Sequence, residues 1–312
     1  MRSDRIATDS AVTALAPLVW GSTYLVTTEF LPPDRPLLAA TVRALPAGLI
    51  LLAIGRQLPR GAWWWRAAAL GTLNIGAFLY LLFVAAYHLP GGVAALVMAV
   101  QPTIVLALSS GLLKERITTA SAVACMLGLA GVGLLALAPG AGVDAVGVCA
   151  GLLGAVSMAA GIVLTKRWGR PPGTGLLTFT GWQLSAGGIV LLPVMLFGEG
   201  LPASVDGRNV AGFAYLGLVG ALLAYAVWFR GVERLPAFTV SVLGFGSPLA
   251  AMTLGYVVLD ETLSPAQLCG ALLVLVAVCL ALPRKPKGRK RVSPPPPSRQ
   301  SRLSRASRPA PR

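Results

Sequence analysis

The chain of 312 residues is 55% hydrophobic and only 12% charged, with a mean hydropathy of +0.74. A typical soluble domain carries about 25% charged residues, so this composition excludes a water-soluble globular protein and indicates a chain that lies in lipid. The formal net charge of +15 does not indicate nucleic-acid binding, because eleven Lys and Arg residues lie in the last 29 positions.

Ten apolar windows follow one another along the chain, each near 20 residues long. At about 1.5 Å of rise per residue, such a helix crosses a hydrocarbon core of about 30 Å and satisfies its own backbone polar groups there. The sequence therefore predicts an all-α integral membrane protein with ten transmembrane helices. The windows are 11–30, 37–55, 67–87, 92–113, 119–138, 145–165, 175–197, 210–229, 237–258 and 265–283.

The loops between these windows carry their basic residues mainly on one side of the membrane. Two basic residues, Arg35 and Arg208, fall on one set of alternate loops and ten on the other. The positive-inside rule makes the richer loops cytoplasmic, which predicts a multi-pass plasma-membrane protein with both termini inside. Residues 1–10 are expected to form a cytoplasmic segment without a cleavable signal. The ten are Arg56, Arg60, Arg66, Lys114, Arg116, Lys166, Arg167, Arg170, Arg230 and Arg234.

One pattern occurs twice, 146 residues apart: a Leu-Pro pair, a proline twelve residues later, and a glutamate thirteen residues after that. Such internal similarity is typical of transporters built by duplication. Because each half holds five predicted helices, an odd number, the second half should enter the membrane inverted. This gives two five-helix repeats, at 11–138 and 139–283. The copies are Leu89-Pro90, Gln101-Pro102, Lys114-Glu115 and Leu235-Pro236, Ser247-Pro248, Asp260-Glu261.

Short motifs in the first two windows add a family resemblance. The run 20–24 reads Trp-Gly-Ser-Thr-Tyr, and Arg43 is followed by Ala-Leu-Pro. With the doubled proline-to-glutamate pattern, residues 11–283 resemble the EamA branch of the drug/metabolite transporter superfamily. The resemblance implies ten helices in two inverted repeats, a central substrate cavity, and mostly export of small metabolites such as amino acids by an antiporter or facilitator. The second-half counterparts of Trp20 and Arg43, around Ser157 and Gln183, have diverged.

Arg43 is a basic residue about seven residues from the outer end of its window, roughly 10 Å deep at the helical rise. Placing a charge centrally in a membrane helix costs about 2.5–3.5 kcal/mol on insertion scales, so something must offset it. Three explanations remain open at this stage. The side chain snorkels outward, pairs with Glu29, or contacts an anionic group of the substrate.

Neutral polar and aromatic side chains inside the windows provide the other site candidates. As a set they predict an amphipathic, aromatic cavity for a small organic solute, although each also fits an ordinary hydrogen bond between helices. Pro102 and Pro248 predict helix kinks or hinges, with a packing role as the alternative. Together with Arg43, the cavity candidates are Trp20, Tyr24, Asn74, Tyr80, Gln101, Trp182, Gln183, Tyr225 and Ser247.

The rest of the composition argues against an enzyme. His88 is the single histidine, and the four cysteines are scattered over three windows, so no metal site, cofactor or disulfide is predicted. No phosphate-binding loop is visible, and paired carboxylates for catalysis are absent from the windows. The predicted function is a secondary transporter of small metabolites working by alternating access. The alternative is a non-transporting membrane scaffold or assembly partner.

Past residue 283 the composition becomes basic and proline-rich. Residues 284–312 contain eleven Lys and Arg residues, no acids, and four consecutive prolines at 294–297. This segment is expected to be disordered in the cytoplasm, where it contacts anionic lipids or serves as a passive tail. The tryptophans at 63–65 indicate an aromatic belt at the inner interface. Small-residue faces such as Ala124 with Gly128 fit packing within one chain or between the copies of a homodimer.

Overall fold

The computed structural model describes most of the chain, and the residues that it describes form helices and connecting turns without a β-strand. The all-α class is confirmed within these ranges. Four subjects of the sequence analysis lie outside them: the side chain of Tyr24, Pro90, the Asp260-Glu261 pair and the tail 284–312. The described ranges are 2–33, 35–89, 94, 97–135, 144–202, 204–258 and 264–282.

Fourteen α-helices and two π-helical turns account for most of the described residues. The π-helical turns, Thr72–Gly76 and Leu218–Leu223, each join two α-helices into one longer rod. The α-helices are α1 (Arg2–Gly21), α2 (Thr23–Phe30), α3 (Pro36–Gly55), α4 (Trp63–Gly71), α5 (Ala77–His88), α6 (Gln101–Leu112), α7 (Thr119–Leu135), α8 (Ala145–Trp168), α9 (Leu176–Gly198), α10 (Gly207–Gly217), α11 (Ala224–Arg234), α12 (Ala237–Leu243), α13 (Gly246–Val258) and α14 (Pro265–Ala281).

Six helical stretches within the described ranges are long and apolar enough to cross a membrane, so the predicted count of ten is not confirmed. The first predicted window is interrupted at Ser22, and the fourth falls partly on residues outside the description. The fifth and tenth correspond to two shorter apolar helices, Thr119–Leu134 and Pro265–Ala281. The six are Pro36–Gly55, Trp63–Ala85, Ala145–Trp168, Leu176–Gly198, Gly207–Arg234 and Ala237–Val258.

Local chemistry explains where several helices begin. At the start of α3, the carboxylate of Glu199 accepts hydrogen bonds from the backbone N–H groups of Leu37 and Leu38, at 2.6 and 2.9 Å. Asp144 accepts from the N–H of Gly147 at the start of α8. These side chains satisfy N–H groups that have no partner within the helix. The contact of Glu199, at the end of α9, also ties α9 to α3.

The main helix pairs of the structure have equivalents in which first-half and second-half helices are interchanged. α3 lies along α9, and α7 lies along α14. The contact of α5 with α8 has its counterpart in α11 with α1, and the contact of α6 with α8 has its counterpart in α13 with α1. The main packing pairs therefore map onto one another when the first half is interchanged with the second.

Glycines allow the closest of these contacts. A methyl group added at Gly188 of α9 would lie 2.6 Å from the Cβ of Leu45, and one added at Gly48 of α3 would lie 2.4 Å from the backbone nitrogen of Ser185. At the other pair, one added at Gly131 of α7 would lie 2.8 Å from the carbonyl oxygen of Gly270. Small residues therefore bring these helix backbones into contact, as in other membrane helix pairs.

Helix ends repeat with the same offset as the sequence anchors. The last residues of α5 and α11, His88 and Arg234, are 146 residues apart. The first residues of the two π-helical turns, Thr72 and Leu218, are also 146 residues apart. Such π-helical turns are rare and often occur at functional sites. Their equivalent positions in the two halves make the rods that contain them candidates for the functional site.

Two turns interrupt the helices near the predicted hinge prolines. α6 begins directly after a turn at 99–100, and α13 begins directly after a turn at 244–245. Pro102 is the second residue of α6, a position where its missing N–H removes no helical hydrogen bond, and Pro248 is the third residue of α13. The helical conformation is therefore interrupted before each proline, and the proline lies in the first turn of the following helix.

The outer surface of the helices is strongly apolar. Phe197 is 93% exposed, and Met126, Leu272 and Val257 are each more than 60% exposed. The largest side chains of the interior are aromatic, and Tyr225 and Trp228 among them are fully buried. Large apolar side chains in such exposed positions are costly in water and favourable in lipid, so the surface is that of a membrane protein.

Candidate functional site

Arg43 is the centre of a buried polar cluster between the two halves. The residue is only 3% exposed and lies in the middle of α3. Its Nη2 donates a hydrogen bond to the carbonyl oxygen of Gly220 at 3.1 Å, and its Nη1 donates to Oγ1 of Thr23 at 3.3 Å. Gly220 lies in the second π-helical turn, where the altered helical register makes a backbone carbonyl available to side chains.

Trp20 binds the same carbonyl from the first helix. Its indole Nε1 donates to the oxygen of Gly220 at 2.9 Å. The indole ring lies 5.0 Å from the ring of Tyr225 and 5.1 Å from that of Trp228, both on α11. The structure therefore brings together three of the predicted cavity residues, Trp20, Arg43 and Tyr225, around one carbonyl group.

The hydrogen-bond partners of Arg43 bear on the three ways in which the cost of its buried charge could be offset. Glu29 pairs with Arg208, at 3.1 Å, and not with Arg43, which had been one of the three alternatives. The guanidinium points to Gly220 and Thr23 in the interior, which excludes snorkelling. Within the described part of the chain, no carboxylate forms a salt bridge with Arg43, and its Nε is buried without a hydrogen-bond partner. The two internal hydrogen bonds give Arg43 a structural role, and contact with an anionic solute stays a prediction.

The helix break at Ser22 supplies further polar groups beside Arg43. The hydroxyl of Ser22 lies 2.7 Å from the phenol oxygen of Tyr215 and 2.7 Å from the carbonyl of Val19, to which it donates. Thr23 begins α2 on the other side of the break. The site thus combines a cation with hydroxyl and indole groups, a set suited to a small polar solute.

A second polar cluster lies at the equivalent place in the other half. Asn74, 146 residues before Gly220, belongs to the first π-helical turn. Its Nδ2 donates to Oε1 of Gln183 at 2.8 Å and to Oγ1 of Thr165 at 3.0 Å. The hydroxyl of Ser157 donates to the carbonyl of Leu73, in the same turn, at 2.8 Å. Each π-helical turn is therefore bound by polar side chains from two helices of the other half.

Among the described contacts, no hydrogen bond joins the remaining predicted residues to Arg43. Trp182 donates to the carbonyl of Gln57 at 2.8 Å and packs among aromatic rings at the opposite end of α3. Tyr80 is exposed and lines an outward apolar groove with Cys149 of α8. Gln101 and Ser247 lie at the starts of α6 and α13, and both are half-buried.

Two charged side chains bind the junction between α11 and α12. The carboxylate of Glu115 accepts a hydrogen bond from the N–H of Ala237 at 3.2 Å, at the first residue of α12. The amine of Lys166 donates to the carbonyl oxygens of Val232, at 3.2 Å, and of Leu235. The Glu115 contact joins the first and second sequence halves at the Leu235-Pro236 anchor, whereas the Lys166 contact lies within the second half.

Sequence reasoning missed the groups that bind Arg43 and Trp20. Gly220 contributes a backbone carbonyl, and Thr23 a hydroxyl, so neither stands out as a charged or aromatic residue. One signal was present, since Gly220 lies 146 residues after Asn74, which was among the candidates. Applying the repeat offset to each candidate would have identified this position.

The helical fold, the apolar surface and the matches to known proteins together define a multi-pass membrane transporter. The model of the EamA-like transporter family matches the chain twice, at residues 10–137 and 145–282. The chain therefore belongs to the EamA-like transporter family, as its sequence motifs predicted.

Two relatives and one solved structure illustrate the similarity. Protein PecM of Dickeya dadantii (strain 3937) is 51% identical over 265 residues, which cover 85% of this chain and 89% of PecM. A Salmonella typhimurium protein named "Probable amino-acid metabolite efflux pump" is 26% identical, with 86% of this chain and 93% of that protein covered. A crystal structure at 22% identity has a TM-score of 0.75 and covers 88% of this chain and 98% of its own, which supports the fold.

Proposed function

We propose that this chain is a plasma-membrane exporter of small metabolites that carry a carboxylate, such as amino acids. It works by alternating access around the Arg43 cluster, between two inverted repeats of five transmembrane helices. The single observation that carries the proposal is the buried guanidinium of Arg43, which has backbone and hydroxyl partners but no carboxylate among the described residues.

Several observations support the five-plus-five arrangement. The family model matches each half separately, and the helix ends keep the offset of the sequence anchors. If helices joined by a π-helical turn or by a short interruption are counted as one rod, the described helices form ten rods. The loops rich in basic residues then lie on the same side of the membrane as the two termini. Two of these rods are short within the described ranges, and membrane thinning or flanking residues accommodate a short apolar helix.

Arg43 is proposed to bind the substrate carboxylate. A guanidinium has five N–H donors, of which the described contacts use two. The remaining donors suit a carboxylate, which accepts charge-assisted and often bidentate hydrogen bonds. A substrate anion would also offset the cost of holding a cation at this depth. The neighbouring Trp20 and Tyr225 rings provide apolar walls for the rest of a small solute.

The contacts at Leu235-Pro236 support alternating access. Glu115 and Lys166 hold the α11–α12 junction closed on what the charge rule makes the cytoplasmic side. In an inverted repeat, the equivalent junction of the first half lies on the outer side. We propose that opening of the inner junction accompanies closing of the outer one, so that the Arg43 cluster faces one side at a time. In this arrangement the tail 284–312 lies inside, against anionic lipids.

Transport by purified protein tests this function. Proteoliposomes are loaded with an equimolar mixture of the common amino acids and of their amides, and the solutes released are quantified by mass spectrometry. We expect release of at least one amino acid, with its amide released far more slowly, because the amide lacks the carboxylate. Equal release of acids and amides would refute the proposed role of the carboxylate. Release of neither by a folded protein would favour a non-transporting membrane scaffold.

A further inference from the structure

Arg66 lies among three indole rings at one end of the helical rods. Its guanidinium carbon is 5.3 Å from the ring centre of Trp63, 5.6 Å from that of Trp65 and 5.6 Å from that of Trp168. The rings of Trp65 and Trp168 meet edge to face at 5.0 Å. Three indole rings therefore lie within cation–π distance of the guanidinium.

The edge of this guanidinium carries donors without acceptors. Within the described residues, Arg66 takes part in no salt bridge or hydrogen bond through its side chain, and its Nε is buried without a partner. The nearby acid Glu233 is already paired with Arg170, at 2.7 Å. A buried donor that lacks an acceptor is costly, so the Nε group of Arg66 leaves room for an acceptor at the edge of the guanidinium.

The neighbouring surface fits an anion that carries an apolar part. Trp64 is 57% exposed and Leu58 is 61% exposed, while Arg167, next to Trp168 in sequence, is also exposed. No acid occurs between residues 56 and 66 or between 164 and 170. A soluble phosphate would use the cations alone and leave these apolar side chains in water. A phospholipid uses both, since its head group meets the cations and its chains meet the indoles.

We propose that Arg66 and its three tryptophans form a binding site for the phosphate of an anionic phospholipid. The site is distinct from the proposed tail contact, because it uses folded residues of α4 and α8. It goes beyond the transport function, and only its assignment to the inner leaflet depends on the proposed topology. Arg66 binds the phosphate through the edge of its guanidinium, while the indoles fix the plane of that group.

Native mass spectrometry of the full chain, purified with added phosphatidylglycerol or phosphatidylcholine, tests this site. The readout is the ratio of phosphatidylglycerol to phosphatidylcholine that remains bound. Wild-type protein should favour phosphatidylglycerol, and Arg66→Gln should lower that ratio about tenfold or more, as expected for lost charge-assisted bonds. Arg60→Gln is the matched control, since it removes the same charge from an exposed arginine that precedes α4 and lies outside the indole cluster. It should change the ratio by less than about threefold.

A second variant keeps the test valid if Arg66→Gln folds poorly. Arg66→Lys keeps the charge over the indoles but loses the planar fork, so it should fold and still reduce the ratio. The rise in melting temperature on adding phosphatidylglycerol, measured for each variant, should be lost in parallel, and inorganic phosphate should give no such rise. Unchanged ratios in both Arg66 variants, an equal loss in Arg60→Gln, or equal stabilisation by inorganic phosphate would each overturn the proposal.

Discussion

Replacing Arg43 is the most direct test of the site. Arg43→Gln keeps a side chain that can hydrogen-bond to Gly220 and Thr23 but removes the positive charge. A hydrogen bond to a charged group contributes about 1.5–3 kcal/mol, and each 1.4 kcal/mol corresponds to a factor of ten. The apparent affinity for a carboxylate substrate should therefore fall about 10- to 150-fold. The amide of the same solute has no carboxylate to lose, so its affinity should change by less than about threefold.

The assay compares half-saturation concentrations in proteoliposomes that contain equal amounts of folded protein. Arg208→Gln is a matched control, because it removes an arginine that is exposed and already paired with Glu29. Exposed pairs contribute little, so this variant should transport the acid nearly as wild type does. Arg43→Lys should recover part of the affinity, since an ammonium keeps the charge without the planar fork.

Two results would refute this reasoning. If Arg43→Gln weakens the acid and the amide equally, with protein yield falling in step, then Arg43 has a structural role, as its two internal hydrogen bonds alone would allow. If Arg43→Gln leaves the affinity for the acid unchanged, the carboxylate binds elsewhere. Separate measurements of yield and affinity distinguish these outcomes.

Three further predictions concern the fold. A reporter fused after Arg170 should be cytoplasmic and one after Asp144 external, and a cytoplasmic signal at Asp144 would contradict the inverted repeats. Ending the chain after Arg284 should leave insertion and transport largely intact, and loss of transport at normal membrane abundance would show a direct role for the tail. Gly48→Ala should lower the free energy of unfolding by about 1–3 kcal/mol, because its methyl would lie 2.4 Å from the backbone of α9. Gly111→Ala, with no atom within 4 Å, is the control, and thermal unfolding in detergent measures both.

Hydropathy predicted the long helices well because a continuous apolar run decides them. The windows 145–165 and 175–197 correspond to α8 and α9 within a few residues. The first window, 11–30, was less accurate: α1 begins at Arg2, where the sequence is polar. Asp9 of this extension pairs with Arg230, at 2.6 Å, and with Arg234, at 3.2 Å. Contacts between residues more than 200 positions apart stabilise this turn of helix, and a local pattern cannot reveal them.

The site was predictable in its side chains and not in its backbone. Arg43 stood out because a charge in a membrane window demands a partner. Its partner in the structure is the backbone carbonyl of Gly220. Every residue has such a carbonyl, and this one is available to a side chain because it lies in a π-helical turn. Such a turn depends on packing against neighbouring helices, so the sequence of one rod does not specify it. Trp182 and Tyr80 were chosen by residue type alone, and their helix faces turn away from Arg43.

The two π-helical turns occupy equivalent positions but differ in the charge of the side chains that bind them. In both turns, polar side chains from two helices of the other half form hydrogen bonds. In the second turn both go to the Gly220 carbonyl, and in the first they go to the Asn74 side chain and the Leu73 carbonyl. One cluster contains the cation Arg43, whereas the other closes neutrally through Asn74 and Gln183. Two cations would double the cost of burial without a second anion to offset it. An amide in one copy therefore keeps the symmetric frame that the proposed alternation requires, and it leaves a single charge for the proposed contact with an anionic group.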